Sequence, residues 1–94
     1  MSYQFDWAPI KAARNLKDHK VPFEEASTVF GDPLAMLMAD PDHSEGEERY
    51  LLLGMSLRRR LLVVSFVERP PKTRLISARE ATRHERRQYE EGET

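Results

Sequence analysis

The stretch that decides the fold is RYLLLGMSLRRRLLVVSFVERPPKTRLIS, residues 49–77. It contains three apolar or alternating segments, residues 49–57, 61–67 and 73–77, whose lengths and β-branched or aromatic content are typical of strands. RRR and ERPPK separate the segments, and connections this short favour antiparallel neighbours. The stretch therefore predicts three consecutive strands of one antiparallel sheet.

Two further strands are predicted on the N-terminal side. LAMLMA, residues 34–39, is a fourth apolar segment, followed by the loop DPDHSEGEE. YQFDW, residues 3–7, alternates apolar and polar side chains, which is the short period-two pattern of a strand. The predicted fold is α+β, with an antiparallel β-sheet of about four to five strands, two N-terminal helices and a C-terminal helix.

The first predicted helix covers APIKAARNLKDH, residues 8–19. Asp6 is the predicted N-cap, and Pro9 lies in the first turn, where its fixed φ suits a helix. Three apolar side chains with helical spacing are predicted to form the buried face: Ile10, Ala13 and Leu16. Three polar residues fall on another face: Lys11, Asn15 and Asp18.

The second predicted helix is shorter and covers VPFEEASTVFG, residues 21–31. Pro22 marks its start, and Gly31 is a C-terminal stop signal. The spacing of Phe23, Ala26 and Phe30 predicts that these side chains point into the core.

The C-terminal helix is predicted to begin at a capping box. In SARE, residues 77–80, Ser77 would be the N-cap and Glu80 the third helical residue of an S-x-x-E pattern. The last residues, about 91–94, are predicted to form a disordered tail. The whole chain, residues 1–94, is predicted to be a single domain.

Length and composition exclude several classes of protein. A chain of 94 residues has room for one small domain. It contains no cysteine, which excludes disulfides, thiol nucleophiles and Cys-based zinc sites. The longest apolar runs are far shorter than a membrane span, and the N-terminus lacks the pattern of a signal peptide. We therefore expect a soluble, cytoplasmic protein without membrane contact.

The net charge of −1 conceals a strong segregation of charge. Residues 1–57 carry five Lys or Arg against ten carboxylates, whereas residues 58–87 carry ten Lys or Arg against three carboxylates. The basic block could attract a polyanion. The alternative is a solvated surface whose charges neutralise one another in the folded chain, and the segregation alone does not choose between the two.

Several spaced motifs together resemble the BrnT toxins of bacterial type II toxin–antitoxin systems. The most specific is ISAR-x-AT-x-x-E-x-x-x-YE, matched by Ile76, Ser77, Ala78, Arg79, Ala81, Thr82, Glu85, Tyr89 and Glu90. A W-x-x-x-K-x-x-x-N-x-x-x-H run is matched by Trp7, Lys11, Asn15 and His19. An E-R-x-x-x-x-G run is matched by Glu48, Arg49 and Gly54.

The resemblance implies a single BrnT-like toxin domain with a RelE-like fold. It implies an endoribonuclease that inhibits translation and is neutralised by a cognate BrnA-type antitoxin. Base reading of operator DNA would fall to the antitoxin in the paired complex.

RNA cleavage through the ribose 2′-hydroxyl needs a base, cations that stabilise the phosphorane, and an acid for the leaving 5′-oxygen. The route requires neither a metal ion nor a cofactor, and none is predicted. Arg79 is predicted to clamp the phosphate together with Arg74 of the preceding strand, because a cation in the first turn of a helix opposes the macrodipole and suggests a function. The helix N-terminus at Ser77 could help to hold the anion.

Arg83 and Arg87 extend the face of Arg79 and are predicted to follow the RNA backbone. For these two residues and Arg86, intrahelical pairing with Glu80, Glu90 or Glu91 is the competing interpretation.

Proton transfer has several candidates. His19 ends the first helix and has a suitable unperturbed pKa, although a histidine at a helix C-terminus is also a common stabiliser. Lys11 and Tyr89 are further candidates, since a RelE-like enzyme can use Lys, Arg and Tyr in place of histidine. Arg49 belongs either to the site or to a pair with Glu48.

Other residues carry weaker signals. Trp7 or Tyr89 could stack an unpaired base, but Trp7 is favoured as a core residue. His84 has no position in the family pattern. His43 lies in the acidic loop, which lacks the spacing of an EF-hand and is predicted to be a solvated turn. The function that competes with the ribonuclease is a non-catalytic nucleic-acid-binding or protein-interaction module with the same fold.

Overall fold

The computed structural model describes residues 4–40 and 48–92. The elements follow the order β1 (Phe5–Asp6), α1 (Pro9–His19), α2 (Phe23–Ser27), a 3₁₀ turn (Thr28–Gly31), β2 (Met36–Ala39), β3 (Tyr50–Met55), β4 (Leu61–Arg69), β5 (Lys72–Glu80) and α3 (Arg83–Glu91). Most of the predicted acidic loop, including His43, falls in residues 41–47, outside the described residues.

The five strands form one sheet with the order β1-β5-β4-β3-β2. The pairs β2–β3, β3–β4 and β4–β5 are antiparallel, as the short connections predict. Strand β1 is parallel to β5, with Phe5 opposite Thr73. The prediction of a purely antiparallel sheet is therefore wrong in one respect: β1 does not join its partner through a short turn, and the long chain between them permits the parallel direction.

The sheet has a core on each face. On one face, α1 and α2 cover a large apolar cluster, which contains Val21, Phe23, Ala26, Val29, Leu52, Leu62, Val64, Phe66, Leu75 and Ala78. On the other face, a smaller cluster of Leu53, Leu61 and Val63 packs against Ala81 and against Tyr89 of α3. Trp7 packs on the larger cluster, edge-to-face with Phe23 at 5.7 Å between ring centroids, so it lies in the core as favoured.

The beginning of α1 differs from the prediction. Asp6 belongs to β1, and Ala8 occupies the N-cap position without a side-chain cap, while Pro9 is the first helical residue. Proline lacks the N–H that a cap would satisfy and fixes φ near the helical value. The helix can therefore begin without the predicted Asp6 cap.

The buried face of α1 also differs from the prediction. Ile10 is 75% exposed and Leu16 is 49% exposed, whereas Asn15 is buried. The predicted apolar face therefore points outward. Asn15 faces inward because its amide bonds with backbone groups of β5, which the spacing of apolar residues does not reveal.

The second helical segment follows the predicted spacing. Phe23 and Ala26 are fully buried, and Phe30 packs against them from the 3₁₀ turn. The turn ends at Gly31, and Asp32 follows in an extended conformation.

The predicted start of the C-terminal helix is wrong. Ser77, Arg79 and Glu80 all lie in β5, where Ser77 is opposite Ser65 and Arg79 is opposite Val63. The capping box lies five residues later: the Glu85 N–H donates to Thr82 Oγ1 at 3.1 Å, and the Thr82 N–H donates to Glu85 Oε1 at 2.8 Å. The S-x-x-E pattern competes here with T-x-x-E, and pairing with β4 keeps the first pattern in the strand.

The end of the chain is partly described. Glu91, the first residue of the predicted tail, is the last residue of α3, and Gly92 is its C-cap. Residues 93–94 lie outside the described residues. Within the part of the chain that the structure describes, no helix has the length and apolar content that a membrane span requires.

Candidate active site

Helix α1 lies along the edge of β5 that faces away from β4, beyond the two residues of β5 that pair with β1. The Asn15 amide donates to the Ala78 carbonyl at 2.9 Å and accepts from the Ala78 N–H at 3.0 Å. The same amide donates to the Val21 carbonyl at 2.9 Å. Asn15 thus replaces a neighbouring strand at this position, because its amide offers the donor and acceptor that a backbone would offer.

A cleft of about 160 Å³ opens beside Asn15, between α1 and β5. Its lining residues are Lys11, Arg14, Asn15, Asp18, His19, Ile76 and Ser77. Three residues predicted for the site, Lys11 and His19 of one motif and Ser77 of another, therefore meet here. The helical repeat brings Lys11 and His19, eight residues apart, to the same side of α1.

Three arginines lie on the sheet face that α3 partly covers. Leu75 and Ala78 of β5 face the core under α1 and α2, so the residues between them and beside them, Arg74, Ser77 and Arg79, face the opposite side. Arg49 continues the alternation of Leu51 and Leu53 and faces this side as well. We call Arg49, Arg74 and Arg79 the arginine face.

Ser77 connects the cleft with the arginine face. Its side chain is exposed, and it lies between Arg74 and Arg79 on β5. Ile76 has no partner on β4 because the pairing register shifts beside it, and a bulge of this kind bends a strand and redirects side chains. The strand edge at the cleft is thereby continuous with the arginine face.

Arg74 pairs with the neighbouring strand. Its Nη1 atom lies 3.2 Å from Asp6 Oδ2. Asp6 Oδ1 is buried and has no hydrogen-bond partner in the described part of the chain. Arg74 thus holds one carboxylate oxygen and keeps other guanidinium nitrogens for a further anion.

Arg79 is held more firmly. Its Nη1 and Nη2 atoms donate to the two carboxylate oxygens of Glu85, at 2.8 and 2.9 Å. The hydrogen bonds from Arg79 lower the pKa of Glu85 to about 2, against the burial that opposes them. The same contact raises the pKa of Arg79. Arg79 is therefore a fixed cation whose two outer nitrogens are already engaged.

Tyr89 lies four residues after Glu85, on the same face of α3. Its hydroxyl donates to Asp32 Oδ2 at 2.6 Å, and Asp32 also accepts from the N–H groups of Met55 and Leu34. Burial and the contact with Asp32 raise the pKa of Tyr89 to about 12. Burial alone would raise the pKa of Asp32, but its three hydrogen bonds lower it overall. Tyr89 therefore anchors α3 to Asp32.

The remaining predicted RNA-binding residues lie on the outer surface of α3. Arg83 and Arg87 are exposed, as are His84 and Arg86. Within the described ranges, none of these arginines forms an ion pair, so the proposed intrahelical pairs are not seen. Glu80 lies in β5 and pairs instead with Arg60 at 3.1 Å.

The motif glycine Gly54 has a packing role. A Cβ atom at this position would lie 2.8 Å from Val29 Cγ1 and 3.2 Å from Asp32 Oδ2. The absence of a side chain therefore lets the 3₁₀ turn and Asp32 approach β3. Its motif neighbour Glu48 accepts from the Tyr50 hydroxyl at 3.0 Å, which differs from the predicted pair with Arg49.

Sequence reasoning missed one buried ionic network. Glu25 is buried and accepts two bonds from Arg60, at 2.6 and 3.0 Å, and one from Ser56 at 2.7 Å. The hydrogen bond from Arg60 lowers the pKa of Glu25 despite its burial. Arg60, although part of the basic block, is therefore structural. Only the inward position of Glu25, next to Ala26, could have indicated this.

The roles of Asn15, Asp32 and Glu85 were also missed, because their partners are distant in sequence. Asn15 and Glu85 were recognised as motif residues, but the motifs assigned no physical role to them. Asp32 carried no signal beyond its position after Gly31. Among the described residues, no three His, Asp or Glu side chains cluster in a way that could hold a metal ion.

Comparison with known proteins identifies a family and a similar fold. A model of the family described as the ribonuclease toxin BrnT of type II toxin–antitoxin systems matches residues 7–85. The crystal structure of the Brucella abortus ribonuclease toxin BrnT is similar with a TM-score of 0.63 and 16% identity, over 87% of this chain and 100% of that chain. At this identity the similarity shows the fold alone. No curated protein sequence is significantly similar to the chain.

The matched range contains the cleft, the arginine face and Glu85, and it ends before Tyr89. The resemblance seen in the sequence motifs is confirmed. This chain belongs to the BrnT family of ribonuclease toxins of type II toxin–antitoxin systems.

Proposed function

We propose that the chain is a metal-independent endoribonuclease that cleaves RNA by attack of a ribose 2′-hydroxyl on the adjacent phosphate. The observation that carries the proposal is the junction at Ser77, where the α1 cleft with Lys11 and His19 adjoins the arginine face. Cations for the phosphate and groups that transfer protons are thus brought to one strand edge.

The arginine face is proposed to bind the scissile phosphate. Arg74 offers guanidinium nitrogens beyond its single contact with Asp6, and Arg79 is a guanidinium whose position is fixed and whose charge is balanced by Glu85. Arg49 adds a third cation on the same face. Such preorganised cations stabilise the extra negative charge of the phosphorane without reorganising during the reaction.

Lys11 and His19 are proposed to transfer the protons. One group takes the proton from the 2′-hydroxyl as the oxygen attacks phosphorus, and the other protonates the leaving 5′-oxygen. The products are a 2′,3′-cyclic phosphate and a 5′-hydroxyl. The contact of Tyr89 with Asp32 supports an anchoring role for Tyr89 over a proton-transfer role.

Exposed cations extend this site. Arg14 lines the cleft, and Arg83 and Arg87 lie on α3 without ion pairs in the described ranges. We propose that they attract the RNA backbone over a longer path, with a strong dependence on salt.

The proposal for the cell follows from the family. Cleavage of RNA in the cytoplasm by this RelE-like domain would inhibit translation, and a BrnA-type antitoxin would neutralise the chain. Operator DNA would be read by the antitoxin in the complex. Membership of a toxin–antitoxin family supports an antitoxin partner, and the chemistry of the site supports RNA as the substrate.

The test is cleavage of single-stranded RNA by the purified chain in EDTA, with the product ends identified. We expect 2′,3′-cyclic phosphate ends, and no cleavage where a 2′-deoxynucleotide replaces the attacking ribose. Arg74→Ala and His19→Ala should each lower the cleavage rate by about 100-fold or more. Arg86→Ala is the matched control, since Arg86 is an exposed arginine on α3 that is not assigned to the RNA path, and it should retain most of the activity.

Two outcomes would contradict the proposal. Unchanged cleavage by both Arg74→Ala and His19→Ala, with folding verified by circular dichroism, would remove the site assignment. Salt-sensitive RNA binding without any cleavage, with or without ribosomes, would favour the non-catalytic binding module of the same fold.

A further inference from the structure

The edge of the sheet formed by β2 is apolar and has no strand partner in the described part of the chain. Strand β2 pairs with β3 on one side and ends the sheet on the other. Its sequence, Met36–Ala39, contains no charge, and Leu37 is 63% exposed. Exposed edges of this kind usually carry a charge, a proline or a covering element, because they pair readily with other chains.

The backbone direction at this edge follows from the register. The Asp40 N–H donates to the Arg49 carbonyl at 3.2 Å, so residue 40 points its backbone groups toward β3. Residues alternate in an antiparallel pair, and therefore Leu37 and Ala39 point their N–H and C=O groups away from β3. These residues offer up to four main-chain hydrogen bonds to an added strand.

Two grooves accompany the edge, one on each face of the sheet. A groove of about 470 Å³ lies on the α3 side and is lined in part by Leu34, Met36 and Glu90. A groove of about 280 Å³ lies on the α2 side and is lined in part by Leu37, Leu52 and Glu68. Alternate side chains of an added strand would enter the two grooves in turn, which is how β-strand addition obtains specificity.

The charges around the edge select the occupant. Every charged residue that lines either groove is a carboxylate: Asp32, Glu68 and Glu90. A second copy of this chain would bring the same negative charges to the interface, which disfavours pairing of β2 with itself. A segment with alternating apolar residues and flanking Lys or Arg would be attracted.

We propose that β2 is a docking edge for an extended, basic and apolar segment of the antitoxin, which adds a sixth strand to the sheet. The proposal rests on the proposed toxin–antitoxin function for the identity of the partner. Strands β3 and β4 separate β2 from β5, about 14 Å at ordinary strand spacing, so the docked strand itself does not cover the arginine face. This strand supplies affinity, and another part of the antitoxin must reach the RNA site.

The test uses the full chain and the antitoxin produced from the same operon, with binding and RNA cleavage measured separately. In isotope-labelled toxin, antitoxin binding should protect the Leu37 and Ala39 amides from hydrogen exchange. Leu37→Pro should weaken binding by about 10- to 100-fold, since it removes an outward N–H without removing a bond to β3. Leu37→Thr keeps this N–H, and its affinity for the antitoxin should stay within about threefold of that of the wild type.

A further substitution tests the proposed electrostatic attraction between the groove and the antitoxin. Glu90→Lys should also weaken antitoxin binding, and the loss should diminish at high salt. Leu57→Ala is the control for an exposed leucine away from β2. RNA cleavage by the free variants should equal that of the wild-type chain, so a chain without ribonuclease activity would contradict the proposed function without affecting the binding result.

The proposal is overturned if the Leu37 and Ala39 amides exchange equally fast with and without bound antitoxin. It is also overturned if Leu37→Pro, folded by circular dichroism, binds as tightly as Leu37→Thr. Protection of the same amides in concentrated free toxin, together with dimers in sedimentation, would assign the edge to a second copy of the chain instead.

Discussion

The two edges of the sheet differ in whether their outward backbone groups have hydrogen-bond partners. Along β5, the buried Asn15 amide bonds with both backbone groups of Ala78, and α1 covers the strand. Along β2, the outward backbone groups of Leu37 and Ala39 are left beside apolar side chains. A side-chain amide can close an edge permanently, whereas an unpaired apolar edge stays available to another chain. Polar closure accompanies the proposed RNA site, and the open edge accompanies the proposed docking of the antitoxin.

The largest expected effect concerns the closed edge. Asn15→Ala should lower the free energy of unfolding by about 3–5 kcal/mol, because buried backbone groups of Ala78 and Val21 lose their partners. Chemical denaturation measures this change. Ile10→Ala on the exposed side of α1 is the control and should change stability by less than about 0.5 kcal/mol. A loss below about 1 kcal/mol for Asn15→Ala would mean that the amide does not close the edge.

A second prediction concerns the ionic contact at the end of β5. A pKa of about 2 for Glu85, against an ordinary value of 4.5, corresponds to at most about 3 kcal/mol. Arg79 is 40% exposed, and solvent screening reduces the expected contribution to about 1–2 kcal/mol. Because the pKa is lowered in the folded chain, this stability is present above pH 4.5 and is lost as the pH falls toward 2.

The measurement compares the wild type with Glu85→Gln by urea unfolding at several pH values. The wild type should be more stable at pH 7, and the difference should diminish toward pH 2. A difference that is constant with pH would show that ionisation of Glu85 contributes nothing. Glu90→Gln, on the exposed surface of α3, is the matched control.

The hydrogen bond between Tyr89 and Asp32 is expected to contribute less to stability than the ionic contact between Arg79 and Glu85. Tyr89→Phe removes the hydrogen bond to Asp32 but keeps the aromatic ring and should cost about 1 kcal/mol. Thermal unfolding measures this loss. We expect RNA cleavage by Tyr89→Phe to stay close to that of the wild type. Loss of cleavage with unchanged stability would return Tyr89 to the list of proton-transfer residues.

The smallest expected effect is at the open edge itself. Leu37→Thr should change the free energy of unfolding by less than about 0.5 kcal/mol, because the side chain is exposed and threonine is compatible with a strand. Calorimetry of the free chain tests this expectation. A loss above about 2 kcal/mol would show that Leu37 belongs to the core, and the contrast between the two edges would fail.

The sequence predicted the antiparallel strands well because their signals are local. Short turns and apolar runs at residues 49–57 and 61–67 are sufficient to place β3 and β4. The direction of β1 and the burial of Asn15 depend on contacts between residues far apart in sequence. The apolar spacing of Ile10 and Leu16 was therefore misleading, because the hydrogen bonds of Asn15 decide which face of α1 is buried.

The sequence predicted some residues of the candidate site but not their partners. The motifs contained Lys11, His19 and Ser77, and the structure brings these residues together in one cleft. The predicted placement of Arg79 at a helix start was wrong, since the sequence contains two successive capping patterns and only strand pairing distinguishes them. The carboxylate partners of Arg79, Arg74 and Tyr89 could not be assigned from spacing, because each pair connects separate elements or crosses the boundary between β5 and α3.

The carboxylate of Glu85 couples the start of α3 to the side chain of Arg79. It accepts from the Thr82 N–H at the start of α3 and from both outer nitrogens of Arg79 on β5. The helix start and the orientation of the guanidinium therefore form a single cooperative unit that opens and closes as a whole. A transient opening of α3 would release Arg79 at the same moment, and the charge arrangement at the proposed RNA site would then change at the rate of a helix fluctuation.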